Sequence, residues 1–221
     1  MNNDNINKAL PILKKHVKSL NAPWLENMVN QDRRKRDPFK VLISCILSLR
    51  TQDKTTGIAS ERLFKLASDA ETMSKLPVNT IQNAIYPVGF YNVKAKRIRE
   101  LCRTLIDNFN SKVPGDLDEL LKLKGVGRKT ANLVLTLGYK NPGICVDTHV
   151  HRITNRWGYV KTKTPEQTEY ALRKKLPRKY WLEINGLLVA FGQGVCRPIS
   201  PLCSKCSIEK FCDKAGVKTR R

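Results

Sequence analysis

The sequence lacks a long hydrophobic run. Its longest apolar stretch, residues 41–49 (VLISCILSL), is much shorter than the ~20 residues that a membrane-spanning helix needs. The first ten residues, MNNDNINKAL, also lack the apolar centre of a signal peptide. We therefore expect a protein that crosses no membrane and works inside the cell.

Acidic residues are scarce as well. The 221 residues include 19 Asp and Glu against 41 Lys and Arg, which gives a formal net charge of +22. Such a charge indicates an anionic partner. A membrane surface or a merely solvated cationic surface would also fit, but nucleic acid is the favoured hypothesis.

Sustained alternation of apolar and polar residues, which would indicate half-buried β-strands, is missing too. The sequence reads instead as short helices that end at Gly, Pro, Asn or Asp, so an all-α fold is expected. Asp37 and Pro38 predict the start of a buried apolar helix. Residues 93–109 predict a helix with one apolar and one cationic face, with Lys94 among the cations. Residues 218–221 resemble a frayed basic tail.

A glycine-rich hairpin is predicted within residues 121–137 (LKLKGVGRKTANLVLTL), between two helices. Gly125 and Gly127 permit unusual backbone angles and let main-chain N–H groups approach an anion at the N-terminus of the second helix. Gly125, Val126, Gly127 and Arg128 are therefore candidates for binding a DNA phosphate. A plain turn is the alternative, but the basic chain favours the phosphate contact. Such a contact positions DNA without reading its bases.

The motif LKGVGRKTANLVL, followed by VDTHVHRITNR, resembles the helix-hairpin-helix (HhH-GPD) DNA glycosylase superfamily and, within it, the endonuclease III family. The likeness covers nearly the whole chain. In that family the lysine of GVGRKTA is the catalytic nucleophile and the aspartate of VDTH is its partner. These residues are Lys129 and Asp147 here. The resemblance implies a bifunctional base-excision-repair enzyme that removes oxidised pyrimidines and cleaves the abasic site by β-elimination through a lysine Schiff base.

Lysine and aspartate suit this chemistry. Positive charge builds on the sugar as the glycosidic bond breaks, and a carboxylate such as Asp147 stabilises it. A neutral amine from Lys129 can attack C1′ and form a Schiff base. Taken singly, Lys129 could be a solvated cation and Asp147 only a helix N-cap. His149 is a possible supporting residue, with a structural hydrogen bond favoured over acid catalysis.

The seven cysteines fall into two groups. Three lie in apolar contexts, and four fall within 17 residues in the pattern C-x6-C-x2-C-x5-C: Cys196, Cys203, Cys206 and Cys212. Four thiolates at uneven spacing favour an iron-sulfur cluster, although the spacing alone leaves zinc open. The pattern is similar to the cluster loop of endonuclease III and its adenine-glycosylase relatives, which implies a [4Fe-4S] cofactor. Arg197 and Lys205 resemble the basic residues that the family presses against DNA.

The resemblance also implies two helical domains with the active site in the cleft between them. One is a six-helix domain over residues 32–141 that contains the hairpin. The other is an iron-sulfur domain built from residues 1–31 and 142–221. The expected partner is double-stranded DNA with a damaged base or an abasic site, bound by a monomer in the cytoplasm or, in a eukaryote, the nucleus.

A damaged nucleotide must leave the base stack to be processed. The family fills the resulting gap from two loops, which correspond to residues 49–53 (LRTQD) and 89–92 (GFYN). Phe90 is the candidate wedge, with an ordinary core aromatic as the alternative. Many relatives carry glutamine at the position of Arg50, so either Arg50 or Gln52 is expected to face the orphaned base.

Two other functions fit part of the pattern. A monofunctional mismatch glycosylase of the same superfamily shares the hairpin, the aspartate and the cluster, but such relatives typically lack the lysine. A non-enzymatic DNA-binding module has no need for Lys129 and Asp147 together. Base release and strand nicking, assayed side by side, separate the three hypotheses.

Overall fold

The computed structural model describes residues 1–19 and 37–221. Within these residues all regular elements are helical and no β-strand occurs, which confirms the predicted all-α class. In the same ranges, no helix has the length and apolar character needed to cross a bilayer.

Contacts along the chain divide it into two units. One, called the terminal unit, comprises Met1–Arg34 and Ile144–Arg221, and the other, called the central unit, is Lys35–Gly143. The predicted domain limit at residues 31 and 32 lies outside the described residues, so the domain assignment stays a prediction.

The described helices follow one another in short segments joined by tight turns. In chain order they are α1 (Asn3–Ser19), α2 (Pro38–Ser48), α3 (Asp53–Leu66), α4 (Ala70–Lys75), α5 (Val78–Ile85), α6 (Tyr91–Phe109), α7 (Leu117–Lys122), α8 (Arg128–Leu133) with a π-helical continuation (Val134–Tyr139), α9 (Thr148–Arg156), α10 (Pro165–Lys175) and α11 (Ile184–Gly194). Single 3-10 turns occupy Arg178–Tyr180, Cys203–Lys205 and Glu209–Phe211.

Helix α2 forms the middle of the central unit. It starts as predicted, because the Asp37 carboxylate accepts a hydrogen bond from the backbone N–H of Phe39 (2.8 Å) and Pro38 is the first helical residue. Seven of its eleven residues are buried. The neighbours that cover it are α3, α6, α8 and the π-helical segment. An apolar helix surrounded in this way is the core of its unit.

Helix α6 differs from its prediction at one residue. Ile98, Leu101 and Leu105 are buried as expected, but Lys94 is buried with them, at 5% exposure. The reason is its position, since residue 94 lies one helical turn before Ile98 and therefore on the same face. Its assignment to the cationic face was wrong.

The hairpin between α7 and α8 is built around Gly125. This residue has φ +85°, a left-handed conformation that favours glycine. A Cβ added to it would lie 2.8 Å from Cδ of Arg97. Gly127 has an ordinary φ of −94° and nothing within 4 Å of its Cβ position, so the expectation of special backbone angles holds for Gly125 alone. Val126 turns its side chain into the core.

The terminal unit packs α11 against α1 and α9, and α9 also contacts α10. Its core includes fully buried Leu13, Ile153 and Trp157. The end of the chain is not frayed: the N–H of Arg221 donates to the carbonyl of Pro201 (2.9 Å), and the N–H of Ser204 donates to the carbonyl of Arg221 (3.0 Å). The prediction of a frayed tail was therefore wrong, because these main-chain bonds join segments that are distant in sequence.

The two hairpin glycines should respond differently to alanine. Gly125→Ala places a Cβ in the left-handed region, at about 1–2 kcal/mol, and forces Arg97 to move, so the free energy of unfolding should fall by about 2 kcal/mol or more. Gly127→Ala should cost less than about 1 kcal/mol, the penalty of alanine at an N-cap. Denaturant titration of both variants measures the difference, and equal losses would contradict this account of the turn.

Candidate active site and cysteine centre

Lys129 is the second residue of α8, directly after the hairpin. It is exposed, and within the described ranges it forms no salt bridge. Its positive charge acts on Cys45 of α2 and lowers the pKa of that thiol, although burial dominates and raises this pKa to about 12. Cys45 therefore stays a neutral thiol near Lys129, while the lysine amine remains accessible.

Asp147 is the N-cap of α9, as the sequence predicted. Its Oδ1 accepts hydrogen bonds from the backbone N–H groups of His149 and Val150, both at 2.9 Å. Oδ2 accepts no hydrogen bond from any described residue. The carboxylate thus caps the helix with one oxygen and has a second oxygen available for a substrate, so capping and catalysis are compatible.

His149 belongs to a network that reaches the cysteine loop. Its Nδ1 lies 3.1 Å from Nη2 of Arg152, which also donates to the carbonyls of Gly192 (3.3 Å) and Cys196 (2.9 Å). A Cβ on Gly192 would lie only 2.3 Å from Nδ1 of His149, so this contact needs a glycine. Burial lowers the pKa of Arg152, while the neighbouring Cys196 acts in the opposite direction. These contacts favour a structural hydrogen-bonding role for His149 over acid catalysis.

Arg50 and Phe90 lie beside each other in the central unit. The guanidinium carbon of Arg50 is 5.7 Å from the centroid of the Phe90 ring, within the range of a cation–π contact. Phe90 is 61% exposed, which excludes the alternative of a core aromatic. Gln52 is also exposed, at the N-cap of α3, and its side chain makes no capping hydrogen bond.

The four clustered cysteines line one cavity of the terminal unit. It also contains apolar atoms of Trp157, Phe191, Val195, Leu202 and Val217. All seven cysteines lie in the described residues, and none of them forms a disulfide bond there. In the described ranges, no group of three or more His, Cys, Asp or Glu side chains stands close enough together to hold a single metal ion. The four thiols surround a shared space in the structure.

The cavity disfavours ionised thiols unless a cation accompanies them. Burial is the main cause that raises the pKa of Cys206 to about 11; charge repulsion from Cys212, Cys196 and Cys203 acts in the same direction, and a backbone hydrogen bond at Ile208 acts against it. Burial likewise raises the pKa of Cys212. Because metals bind thiolates, a positively charged group in this space would drive off the protons.

Hydrogen-bond donors surround the cysteine sulfurs. Nη1 of Arg156 lies 3.5 Å from Sγ of Cys196, and the backbone N–H of Lys214 donates to Sγ of Cys212 at 3.4 Å. The Arg156 guanidinium also donates to the carbonyls of Arg197 and Pro198, both at 2.6 Å. Soft sulfur donors with N–H groups directed at them fit an iron-sulfur cluster, whose properties such bonds tune.

The predicted site residues fall in both units. The hairpin, Lys129, Arg50, Gln52 and Phe90 lie in the central unit. Asp147, His149, the four cysteines and two exposed cations, Arg197 and Lys205, lie in the terminal unit.

Sequence reasoning missed Lys94, Arg152 and Arg156. The two arginines are four residues apart and thus share a face of α9, which is a signal that could have connected them to one site. Lys94 is four residues before an apolar position of its helix, a spacing that could have revealed its burial.

Comparison with known proteins agrees with these observations. Residues 43–178 match the model of the HhH-GPD superfamily base excision DNA repair protein. Endonuclease III of Thermotoga maritima is 48% identical over 83% of this chain and 86% of its own length. Endonuclease III homolog 2, chloroplastic, of Arabidopsis thaliana is 41% identical over 98% of this chain, which spans 59% of that longer protein.

A solved structure has the same fold. It is a trapped covalent intermediate of endonuclease III with DNA, 31% identical, with a TM-score of 0.80 and coverage of 97% of both chains. With the matched family model, the similar sequences and the shared all-α fold, the chain belongs to the endonuclease III family within the HhH-GPD superfamily of base excision DNA repair proteins.

Proposed function

We propose that this chain is a bifunctional DNA glycosylase and AP lyase of base excision repair. It removes oxidised pyrimidines from double-stranded DNA and then cleaves the abasic site by β-elimination. The observation that carries the proposal is an exposed lysine, Lys129, in the first turn after the hairpin, with no ion pair to any residue that the structure describes. The same chain supplies Asp147 in the family's second motif. Such an enzyme acts in the compartment that holds the DNA.

The hairpin binds a phosphate of the DNA backbone. Gly125 and Gly127 are exposed, so the main chain between α7 and α8 is accessible, and Arg128 adds positive charge. Val126 orders the turn and does not donate to the phosphate, because its side chain is buried and its backbone N–H donates to the carbonyl of Leu123 (3.0 Å). This contact fixes the position of the DNA along the protein, so that one sugar lies next to Lys129.

The chemistry follows from the two groups. The second oxygen of Asp147, Oδ2, stabilises the positive charge that develops on the sugar. The Nζ amine of Lys129 forms a bond to C1′ while the bond from C1′ to the base breaks, and the base leaves with a proton released by that nitrogen. A second bond between Nζ and C1′ then forms as the bond from C1′ to the ring oxygen O4′ breaks, and O4′ takes up a proton from solvent. The resulting Schiff base acidifies the C2′ proton, and loss of that proton expels the 3′ phosphate.

Arg50, Gln52 and Phe90 serve nucleotide extrusion in this proposal. Phe90 is an exposed apolar side chain that can occupy the gap left in the stack, and the adjacent Arg50 offers hydrogen-bond donors to the orphaned base. Gln52 is the second polar group of the same loop.

The four cysteines hold a [4Fe-4S] cluster in this proposal. The support is the donor set: four thiols around one partly buried cavity, with N–H groups directed at two of the sulfurs. When bound, the cluster cross-links the segments that carry the four cysteines. Arg197 and Lys205, both exposed, then contact the DNA backbone from an ordered loop.

A monofunctional mismatch glycosylase is the enzymatic alternative, and it accounts for Asp147 without a role for Lys129. A DNA-gripping module accounts for neither residue. The presence of both motif residues favours the bifunctional enzyme.

Removal of the nucleophilic amine should abolish covalent capture. Wild-type protein should be trapped by borohydride on duplex DNA with an abasic site, whereas Lys129→Gln should not be trapped, because an amide forms no Schiff base. Gel electrophoresis of the cross-link gives the measurement. Lys122→Gln, a change of an exposed lysine paired with Glu119, is the matched control and should trap like the wild type. Undiminished trapping by Lys129→Gln would refute the assignment.

Loss of one clustered cysteine should remove the cofactor. Protein purified without oxygen should contain about four iron and four sulfide per chain and absorb visible light. Cys206→Ala should lose both properties, while Cys102→Ala, at a buried cysteine of the central unit, should retain them. Elemental analysis that finds one zinc and no sulfide would contradict the cluster.

A further inference from the structure

We propose that Lys94 is a positioning residue. It holds the loop of Arg50 (residues 49–53) and the loop of Phe90 (residues 89–92) in the one arrangement in which their side chains can insert into DNA. The role in DNA rests on the function proposed above. The arrangement itself rests on contacts inside the central unit, to which all these residues belong. Lys94 is buried and touches no substrate, so it acts through the loops.

The ammonium group of Lys94 has all three hydrogen-bond donors engaged. Nζ donates to the carbonyls of Leu47 (2.7 Å) and Leu49 (2.6 Å) and to Oγ1 of Thr51 (3.2 Å). The two carbonyls belong to the C-terminal end of α2, where such groups lack helical partners and the helix dipole is negative. The lysine thus caps α2 from a neighbouring helix and determines where the following loop begins.

A buried ammonium is costly, which argues against an incidental role. Burial lowers the pKa of Lys94 to about 8. An apolar side chain would satisfy the packing of α6 without this penalty. What the lysine adds is hydrogen bonds to three oxygen atoms, and two of these oxygens lie in or beside the loop of Arg50.

Thr51 extends the connection to the second loop. Its Oγ1 accepts from Nζ of Lys94 and from the backbone N–H of Gly89 (3.1 Å), and its hydroxyl donates to the carbonyl of Leu49 (3.3 Å). The backbone N–H of Lys94 also donates to the carbonyl of Phe90 (3.0 Å). Lys94 therefore contacts both loops, once through its side chain and once through its backbone.

The two loops are held in strained conformations. Arg50 has φ +54° and Phe90 has φ +59°, and both are non-glycine residues in the left-handed region. A Cβ on Gly89 would lie 2.6 Å from the carbonyl oxygen of Arg50, so the loops approach as closely as a glycine allows. Such conformations persist where the surrounding contacts over-determine them. Lys94 and Thr51 supply those contacts.

The outcome is an exposed Arg50–Phe90 pair whose geometry exists before DNA arrives. A pre-organised wedge avoids the cost of ordering two loops while a nucleotide leaves the stack. Loss of the Lys94 contacts should therefore slow reactions that need extrusion from a duplex. Reactions on an already unpaired abasic site should be spared.

The test compares Lys94→Met, which keeps the aliphatic stem and removes the donors, with Lys96→Met on the exposed side of α6. Single-turnover excision of an oxidised pyrimidine from a duplex should fall about tenfold or more in Lys94→Met, as expected for about 1.4 kcal/mol of lost positioning. Borohydride trapping on single-stranded DNA with an abasic site should stay near the wild-type level. Lys96→Met should match the wild type on both substrates.

A fluorescent readout follows the loops directly. A 2-aminopurine placed opposite the lesion should brighten when the wild type binds, because extrusion and wedge insertion unstack it. The increase should be smaller with Lys94→Met.

A second pair of variants decides the question if Lys94→Met does not fold. Thr51→Val removes the hydroxyl and should reproduce the selective loss, whereas Thr51→Ser keeps the hydroxyl and should restore duplex excision. Duplex excision at the wild-type rate by folded Lys94→Met or Thr51→Val would overturn the role of Lys94, as would an equal loss on both substrates. Wild-type protein inactive on both substrates would instead overturn the proposed function and this role with it.

Discussion

Packing around α2 is the constraint on which the central unit depends. At the start of α2, Pro38 lies so close to Gly138 that a Cβ added to Gly138 would lie 2.9 Å from the Cα of Pro38. In the middle of α2, Cys45 lies close enough to Lys129 for the lysine charge to act on the pKa of the thiol. At its end, the carbonyls of Leu47 and Leu49 receive Lys94. One buried helix thus fixes the position of the segment that carries Lys129 and of the loops that carry Arg50 and Phe90.

Two lysines of the central unit illustrate how environment decides the use of one side chain. Lys94 is buried, and all its donors are engaged by oxygens of the chain, so it can organise backbone but cannot react. Lys129 is exposed and has no carboxylate partner among the described residues, so its amine is available to a substrate. The chain has 41 basic residues, all of similar charge. Burial and hydrogen-bond partners therefore decide which of these cations stabilise the structure and which are accessible to a substrate.

Sequence reasoning succeeded where the determining contacts are local. The caps at Asp37 and Asp147 each involve a backbone N–H two or three residues away, so residue type and spacing predict them. The hairpin motif and the cysteine spacing are local in the same sense. The family resemblance then assigned the fold, which the matched family model and the solved structure confirm.

The sequence was less informative where the contacts are distant. The pairing of Arg221 with Pro201, and the contacts of Arg152 with Gly192 and Cys196, join residues 20 to 44 positions apart. The hydrogen-bond partners of the buried Lys94 ammonium include carbonyls 45 and 47 residues earlier. Nothing in the local pattern around these residues encodes such partners, so only the folded chain reveals them.

The central claim is that the amine of Lys129 bonds to the sugar of the abasic site. The most direct measurement is peptide mapping by tandem mass spectrometry of the wild-type protein after reduction on abasic DNA and digestion of the adduct. The account predicts a reduced deoxyribose remnant on the peptide that contains Lys129, at Nζ of that residue. A remnant on another lysine or on the N-terminal amine, with Lys129 unmodified, would contradict it.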